Sequence, residues 1–588
     1  MQIQRFTLLA CLLVPAVSAA EISASDTIVV TATRTETPIS DAIVPITVIT
    51  REDIELSGAT DLAELLRFQA GIDIGRNGGP GTATSVFMRG TESNHTLILI
   101  DGVRMNPGTI GGGAIQNISP EVIERVEIVK GARSALYGTD AIGGVINIIT
   151  RRADDTEFQA GLGGGKFDSR SAFVSTGHRG DNGEARITID WADTDGFSPS
   201  TALDIDRGYD NLSVSLFGSR DFGDATVSLR HWNASGNVEY FSFFGTPLDQ
   251  DFRNATTAVE WEQRVSEAGS SNFILSYMQD EIDQNQAPDF VHSDRMSVDW
   301  QYSHALANHT LTAGVFYMDE TAASLPSFGD AFDEDTDVRA LFVQDQWSRD
   351  RHRAFAAVRF SDHSSYGNET TWNLEYAYDI SDSLTASIGA GHAFRAPDAT
   401  DRFGFGGNVN LEPEIADEIQ AGLRYRPAPR HSIDVEIYSN DIEDLIGFDE
   451  TFSAVNIDEA EIRGAQLGYE YTGDTFTFRG EFVRQTADDK STGERLLRRA
   501  EETLTLSYTQ SIGEHRLGLS VLASGDREDF ATSLPGYVLA NLTGQIRLGD
   551  TLQLNARVEN LLDTDYETAA GFRMQERSAF VELRYNWK

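Results

Sequence analysis

The chain has 588 residues, and Asp plus Glu outnumber Lys plus Arg by 91 to 47, a formal net charge of −44. That length exceeds a single soluble core and implies two or more units, while a polyanion of this kind excludes electrostatic binding of nucleic acid. The only cysteine, Cys11, excludes an intramolecular disulfide and a multi-thiolate metal site.

Residues 1–20 read as a secretory signal. Arg5 gives a positive start, Phe6 to Val17 is apolar, and Val17-Ser18-Ala19-Ala20 ends in small residues, predicting cleavage near Ala19 or Ala20. Leu8-Leu9-Ala10-Cys11 has the flavour of a lipoprotein site but comes too early to leave a hydrophobic core before it. No later run approaches the ~18 apolar residues of a membrane-spanning helix. The chain is therefore expected to be exported, either as a soluble protein or as an outer-membrane barrel.

The segment Asp26-Thr27-Ile28-Val29-Val30-Thr31-Ala32 is short, β-branched and flanked by polar residues. It reads as a frayed terminal strand or as an exposed strand open to β-augmentation by a partner. Residues 41–153 then predict a compact mixed α/β domain. Thr50-Arg51-Glu52-Asp53 has capping-box spacing with Asp in the last place. Thr60 is expected to cap a helix whose Leu62, Leu65 and Leu66 share a face, with Gly71 as its stop. Ser119-Pro120-Glu121 predicts another short helix. Val126-Glu127-Ile128 and the apolar run Val145 to Ile149 predict strands around a segment punctuated by Gly131, Gly138, Gly143 and Gly144. Two loops, Asn77 to Thr82 and Asn106 to Gly113, are rich in glycine, and neither is followed by the GK[ST] of a phosphate loop.

From residue 158 to 588 the texture becomes short alternating strands. Ile187, Ile189 and Trp191 alternate with Arg186, Thr188 and Asp190. At the carboxyl end Ala579, Val581, Leu583, Tyr585 and Trp587 alternate with Phe580, Glu582, Arg584 and Asn586, and only Phe580 breaks the polar side. One apolar and one charged face fit either a soluble sandwich or a barrel with lipid outside and water within. The size of the region, its charged faces and the aromatic residues at strand ends favour the barrel. No GxSxG, HExxH or metal-type histidine spacing supports an enzyme. Acidic residues cluster at Asp193 and Asp195, Asp204 and Asp206, Asp249 and Asp251, and Asp333 to Asp337. Such loops are solvated charge or a source of the six to eight oxygens that calcium takes.

The segments FMRG (87–90), LILIDGVRMN (97–106) and IERVEIVKGARSALYGTDAIGGVINIIT (123–150) resemble the plug domain of the TonB-dependent outer-membrane receptors, and among these the cobalamin-transporting members most. The resemblance covers essentially the whole chain. It implies an all-β transmembrane barrel of ~22 antiparallel strands with an N-terminal mixed α/β plug in its lumen. It implies that Asp26 to Ala32 is the Ton box gripped by TonB, which draws on an inner-membrane proton-motive complex. It implies that the plug loops face outward to substrate through Gly81, Thr82, Thr84, Ser85, Asn106, Thr109 and Gln116. It also points to calcium at Asp204, Asp206 and Asp249, although Ser198 and Phe241 stand near places where acidic ligands are expected. Ala393 to Pro397, Asn408 to Glu414, Leu496 to Ala500 and Glu559 to Tyr566 resemble mid-barrel signatures, read here as turns and lumen ion pairs. One departure is Lys588 after Trp587, since such barrels usually end on an aromatic residue. The expectation is thus a monomeric receptor in outer-membrane lipid that takes up cobalamin. The alternatives are a ferric-siderophore receptor of the same class and, from other classes, a passive porin-like channel or a surface adhesin. The loops 78–85 and 106–116 carry no charge, which suits a large ligand rich in amides and poor in net charge better than an anion.

Overall fold

The computed structural model describes residues 28–29, 31–35, 37–242, 244–327, 329–449, 451–530 and 532–587. The predicted signal, Asp26, Thr27, Val30 and Lys588 lie outside them. Among the described residues, 22 antiparallel strands run from Glu157–Gly165 to Ser578–Trp587 and close into one barrel. First and last strands pair directly, with Phe158 opposite Trp587 and Leu162 opposite Leu583. Closure leaves no sheet edge, the condition for strands in hydrocarbon, where a free N–H or C=O finds no water.

The predicted alternation holds in space. Val581, Leu583, Tyr585 and Trp587 are exposed on the outside, while Arg584 is buried in the lumen. Phe580, the one apolar residue on the inner side, is buried with the Arg557 guanidinium 4.0 Å from its ring centre. Ile187, Ile189 and Trp191 likewise face out, and Arg186, Thr188 and Asp190 face in. One rim has tight turns, such as Gly180 to Gly183, Leu306 to His309 and Arg349 to His352. The opposite rim carries the longer connections, between Arg395 and Glu414, Asp489 and Glu502, and Glu559 and Ser578. Beside the tight turns lies an aromatic girdle: Trp347 meets His352 at 6.3 Å, His352 meets Tyr378 at 4.8 Å, and Tyr471 meets Phe476 at 4.9 Å. Rings with an apolar body and a polar tip suit a membrane–water interface.

Inside the barrel sits the plug. Its five-stranded sheet runs Ile46–Ile49, Ile123–Lys130, Gly144–Thr150, Thr96–Ile100 and Val103–Arg104. Gly144–Thr150 is central and parallel to Thr96–Ile100, so both its faces are covered, and this is why its sequence is a continuous apolar run rather than an alternation. Gly144 has φ +148°, and a Cβ there would lie 2.3 Å from the Val129 carbonyl oxygen, so no side chain fits.

The helices refine the expectations. Thr50 and Asp53 form the predicted capping box on Arg51–Ser57, with Gly58 closing it at φ +62°. The next helix, Leu62–Arg67, is capped by Asp61 and not by Thr60. Asp61 accepts from the Glu64 N–H at 2.9 Å and also takes the Arg76 guanidinium at 2.9 Å, a charge pairing no threonine offers. That helix ends at Phe68; Gly71, at φ +71°, turns the chain into the strand Ile72–Arg76 instead of stopping the helix. The Ser119-Pro120-Glu121 signal yields one 3-10 turn, Pro120–Val122.

Candidate functional site

Both glycine-rich loops lie at the rim of long connections. A Cβ on Gly81 would stand 2.1 Å from the Tyr209 ring, and Gly81 has φ +74°, so this approach of loop to wall requires glycine. Thr82 is buried with its hydroxyl on the Gly79 carbonyl at 2.7 Å. Thr84 accepts from Arg76 at 3.1 Å and, with Ser85, stays partly open beside exposed Ala83. The second loop is stitched to the wall. Gly108 N–H donates to Glu320 at 2.8 Å, and the carbonyls of Gly108 and Thr109 accept from Ala399 at 2.8 Å and Thr400 at 2.9 Å. Those two donors, Ala399 and Thr400, start the helix Ala399–Phe403, which follows the Ala393 to Pro397 signature.

The structure separates the predicted contact residues into two kinds. Asn106 is a brace: its Oδ1 accepts from the Ile98 N–H at 2.8 Å, and its Nδ2 donates to the carbonyls of Thr96 at 3.0 Å and Gly111 at 2.7 Å. Every polar atom of that side chain is committed inside the plug. Thr109 is buried too, and its hydroxyl has no partner. Gln116 is partly exposed, but its side-chain oxygen is buried and likewise unpartnered. Thr84, Ser85, Gln116 and the exposed Ile110 therefore form the open rim, while Gly81, Thr82 and Asn106 shape it.

Beside this rim is a cleft, open to solvent, between the second loop and the wall. Arg104, Asp140, Arg295, Glu320, His363, Arg395 and Arg402 all line it. Sequence reasoning does not single these residues out as a site, because they come from distant strands and no local spacing joins them. Nearly all its guanidinium charge is paired. Arg295 meets Glu320 at 2.7 Å, Arg104 meets Asp140 at 2.7 Å, and Arg395 meets Asp401 at 2.7 Å, Asp398 at 2.8 Å and Glu414 at 2.9 Å. Burial, with Asp401 alongside, pushes the Asp398 carboxyl well above its ordinary pKa despite Arg395. Arg402 donates to Ser365 at 3.4 Å and lies over the Tyr366 and Phe403 rings.

The amino-terminal segment is at the opposite, tight-turn end. Ile28–Val29 pairs with Thr37–Pro38. Its carboxyl end is not exposed, contrary to the expectation for an open strand: Thr31 and Ala32 are buried. Thr31 donates from N–H and hydroxyl to Glu127 at 3.1 and 2.6 Å, receives Asn147 on its hydroxyl at 3.1 Å, and offers its carbonyl to the Tyr137 hydroxyl at 2.9 Å. Burial raises the Tyr137 pKa, which keeps the phenol a donor. Arg34 follows, paired with Asp299 at 2.5 Å.

The calcium expectation fits poorly. Asp204 and Asp206 are exposed, and Asp249 is taken up by amides, accepting from Asn285 at 2.6 Å and Asn237 at 3.2 Å. Among the described residues, no three acidic or histidine side chains gather to hold a metal ion.

With this geometry in place, the comparisons decide the class. Residues 146–561 match the family model described as TonB dependent receptor-like, beta-barrel, and residues 38–145 match the TonB-dependent Receptor Plug Domain. The chain belongs to the TonB-dependent receptors. It is a receptor of the outer membrane and a transport protein rather than an enzyme. A vitamin B12 transporter BtuB from Vibrio vulnificus is 32% identical over 576 residues, covering 94% of this chain and 93% of that one. Another, from Photobacterium profundum, is 30% identical, covering 99% and 100%. Among solved structures, the siderophore receptor PirA from Acinetobacter baumannii superposes with a TM-score of 0.81 at 17% identity, over 92% of this chain and 98% of that one. A ferric enterobactin receptor from Pseudomonas aeruginosa gives 0.81 at 18%, over 93% and 100%. At those identities the superposition speaks for the fold of the TonB-dependent receptor and not for its ligand.

Proposed function

We propose that this TonB-dependent receptor takes up cobalamin, with Asp26 to Ala32 as the Ton box and the open rim of the plug as the first contact. The observation that carries the reading is the full-length likeness to transporters of vitamin B12 at 30–32% identity. The rim agrees with it: Thr84, Ser85, Ile110 and Gln116 bring small polar and apolar surface without net charge, the chemistry for a bulky, amide-rich ligand. The plug fills the lumen, so a ligand of that size needs the plug to rearrange. The outer membrane has no ATP, and force through a β-augmented Ton box supplies the work. The receptor acts as a monomer in this reading.

A ferric siderophore is the second reading, favoured by Arg402, whose described contacts include no carboxylate in a cleft otherwise made of ion pairs. Titration of the purified receptor with cyanocobalamin and with a panel of ferric siderophores, with and without calcium, separates the two. Saturable binding of cyanocobalamin is expected in both conditions. Siderophore binding with no cobalamin binding in either condition overturns the assignment and leaves the receptor class intact.

A further inference from the structure

The cleft and the buried end of the amino-terminal segment lie at opposite ends of the plug, yet one residue touches both systems. Tyr137 ends the short helix Ser134–Tyr137. Its hydroxyl donates to the Thr31 carbonyl at 2.9 Å. Its own carbonyl accepts from Arg104 at 3.1 Å, and the same guanidinium reaches the Thr139 carbonyl at 2.6 Å and Asp140 at 2.7 Å. Arg104, Thr139 and Asp140 line the cleft. Arg104 also buries an Nε with no partner, and burial pulls its pKa below the ordinary value, with Asp140 only partly offsetting it. Its fork is thus divided among three acceptors, with the Nε–H left over.

We propose that Tyr137 is the positioning residue through which an acceptor arriving in the outer cleft loosens the Thr31 end of the amino-terminal segment. An oxygen acceptor of the ligand, an amide carbonyl or a phosphate, competes for the Arg104 fork. Arg104 then gives up the Tyr137 and Thr139 carbonyls, the turn at residues 137–140 shifts, and the phenol leaves the Thr31 carbonyl. The state with Thr31 free is favoured only by the ligand's differential affinity for it. Tyr137 is suited to this because its two polar ends face two different partners while its ring packs among Leu97, Leu99, Ala141 and Val145, so movement at one end is passed to the other as a rigid unit. The inference rests on reading 26–32 as the segment TonB grips.

The test uses the exported receptor, whose only native cysteine, Cys11, lies in the predicted signal, with a reporter thiol at Ala32→Cys, a position that is 6% exposed. A second reporter at Ala63→Cys, fully buried in the plug core, monitors general loosening. Without ligand, Tyr137→Phe, which removes only the hydroxyl, is expected to raise the thiol-labelling rate at residue 32 by roughly two- to tenfold, the scale of one buried hydrogen bond, and to leave residue 63 unchanged. Arg104→Gln should raise the rate at residue 32 as well, and adding it to Tyr137→Phe should bring no further increase. An unchanged rate at residue 32, an equal rise at both reporters, or strictly additive effects of the two substitutions would each overturn the proposal. Cyanocobalamin supplies the second arm and should raise labelling at residue 32 in the Tyr137 protein but not in the Phe variant. Failure of cyanocobalamin to bind, with the ligand-free results as expected, rejects the substrate and keeps the relay.

Discussion

Two stretches of the lumen wall hold the plug by different means. On the strands from Ala225 to Gln284 the contact is mainly apolar: Trp232, Ala234, Phe252, Ala258 and Met278 join the plug's own cluster of Ile115, Ile118 and Val122, with hydrogen bonds from Asn117 to Asn254 and from Arg230 to the Asp101 carbonyl beside it. On the strands from Gly367 to Phe448 buried charges are added to an apolar cluster that Ala132 and Ile142 of the plug share with Ala393, Ala416 and Ile442. Arg89 reaches Glu418 at 3.3 Å and Gln420 at 2.9 Å, pairs also with Glu436, and lies over the Tyr438 ring. Arg133 meets Glu375 at 2.6 Å, and His95 meets Glu414 at 2.9 Å. Apolar contact is non-directional and tolerates small shifts, whereas each buried ion is satisfied in one geometry only. The charged stretch therefore fixes where the plug sits, and the apolar stretch supplies adhesion.

The largest expected effect is on the charged side. Glu418→Ala strips Arg89 of one partner and removes the acceptor of the Ala132 N–H at 2.5 Å, so plug docking should weaken by about 3–5 kcal/mol. Hydrogen exchange over residues 84–88 and 131–137 reads this as lost protection. Replacing the set together, with Arg89→Met, Glu418→Gln and Glu436→Gln, should restore most of it, because no uncompensated charge remains. If the triple variant is as damaged as the single one, the charged stretch adheres by its ions and the contrast between the two sides fails.

On the apolar side, Trp232→Ala should cost about 3–4 kcal/mol by cavity formation and lost transfer energy. Trp232→Phe should cost less, since the Trp232 Nε1–H is buried without a partner and its removal relieves that debt. Melting of the purified receptor, followed through exchange at residues 115–122, gives both values.

Acid should separate the apolar side from a further charged contact, the one Glu121 makes with the closing strand Ser578–Trp587, without mutation. Glu121 is pushed up by burial, but Arg584 and Arg51 outweigh this and bring its pKa down to about 2 from 4.5. A carboxyl with a depressed folded pKa contributes stability that is present above the unfolded value and lost as pH falls through the folded one. Its contribution, on the order of 3 kcal/mol, should fade between pH 4.5 and 2, and exchange around residues 119–125 should rise there. The Trp232 contact is indifferent to that protonation, so a uniform rise across the plug would refute the distinction.

Much of this architecture is legible in the chain. The strands declare themselves because lipid on one side and lumen on the other impose a period of two, and Gly144–Thr150 does so because a central strand is buried on both faces. The charged seam between plug and wall is silent in sequence. Arg89 and Glu418 are 329 residues apart, and no local period encodes such a pair. The cleft escapes a sequence reading for the same reason. Thr60 and Asp61 are adjacent cap-formers, and the choice falls to Asp61 through Arg76, a partner supplied by the next strand. Composition finds the glycine-rich loops but does not tell the brace Asn106 from the open Thr84.

The smallest effect concerns the end of the amino-terminal segment, where charged and neutral contacts meet. Thr31→Val keeps the side-chain shape and removes the hydroxyl that links Glu127 at 2.6 Å and Asn147 at 3.1 Å. The Thr31 N–H remains on Glu127 at 3.1 Å, its carbonyl remains on Tyr137 at 2.9 Å, and Glu127 keeps Arg125 at 2.8 Å. No charge is left without a partner, so the loss should be a net hydrogen bond, about 1 kcal/mol. Because the contact holds the segment in place without ligand, its loss should favour the released state. Affinity for a soluble TonB carboxyl-terminal domain should then rise by roughly fivefold without ligand, and by less when ligand has already released the segment. A fall in affinity would mean that Thr31 itself pairs with TonB through its hydroxyl, and that the buried end seen here is a store for a binding group, not a restraint on the strand.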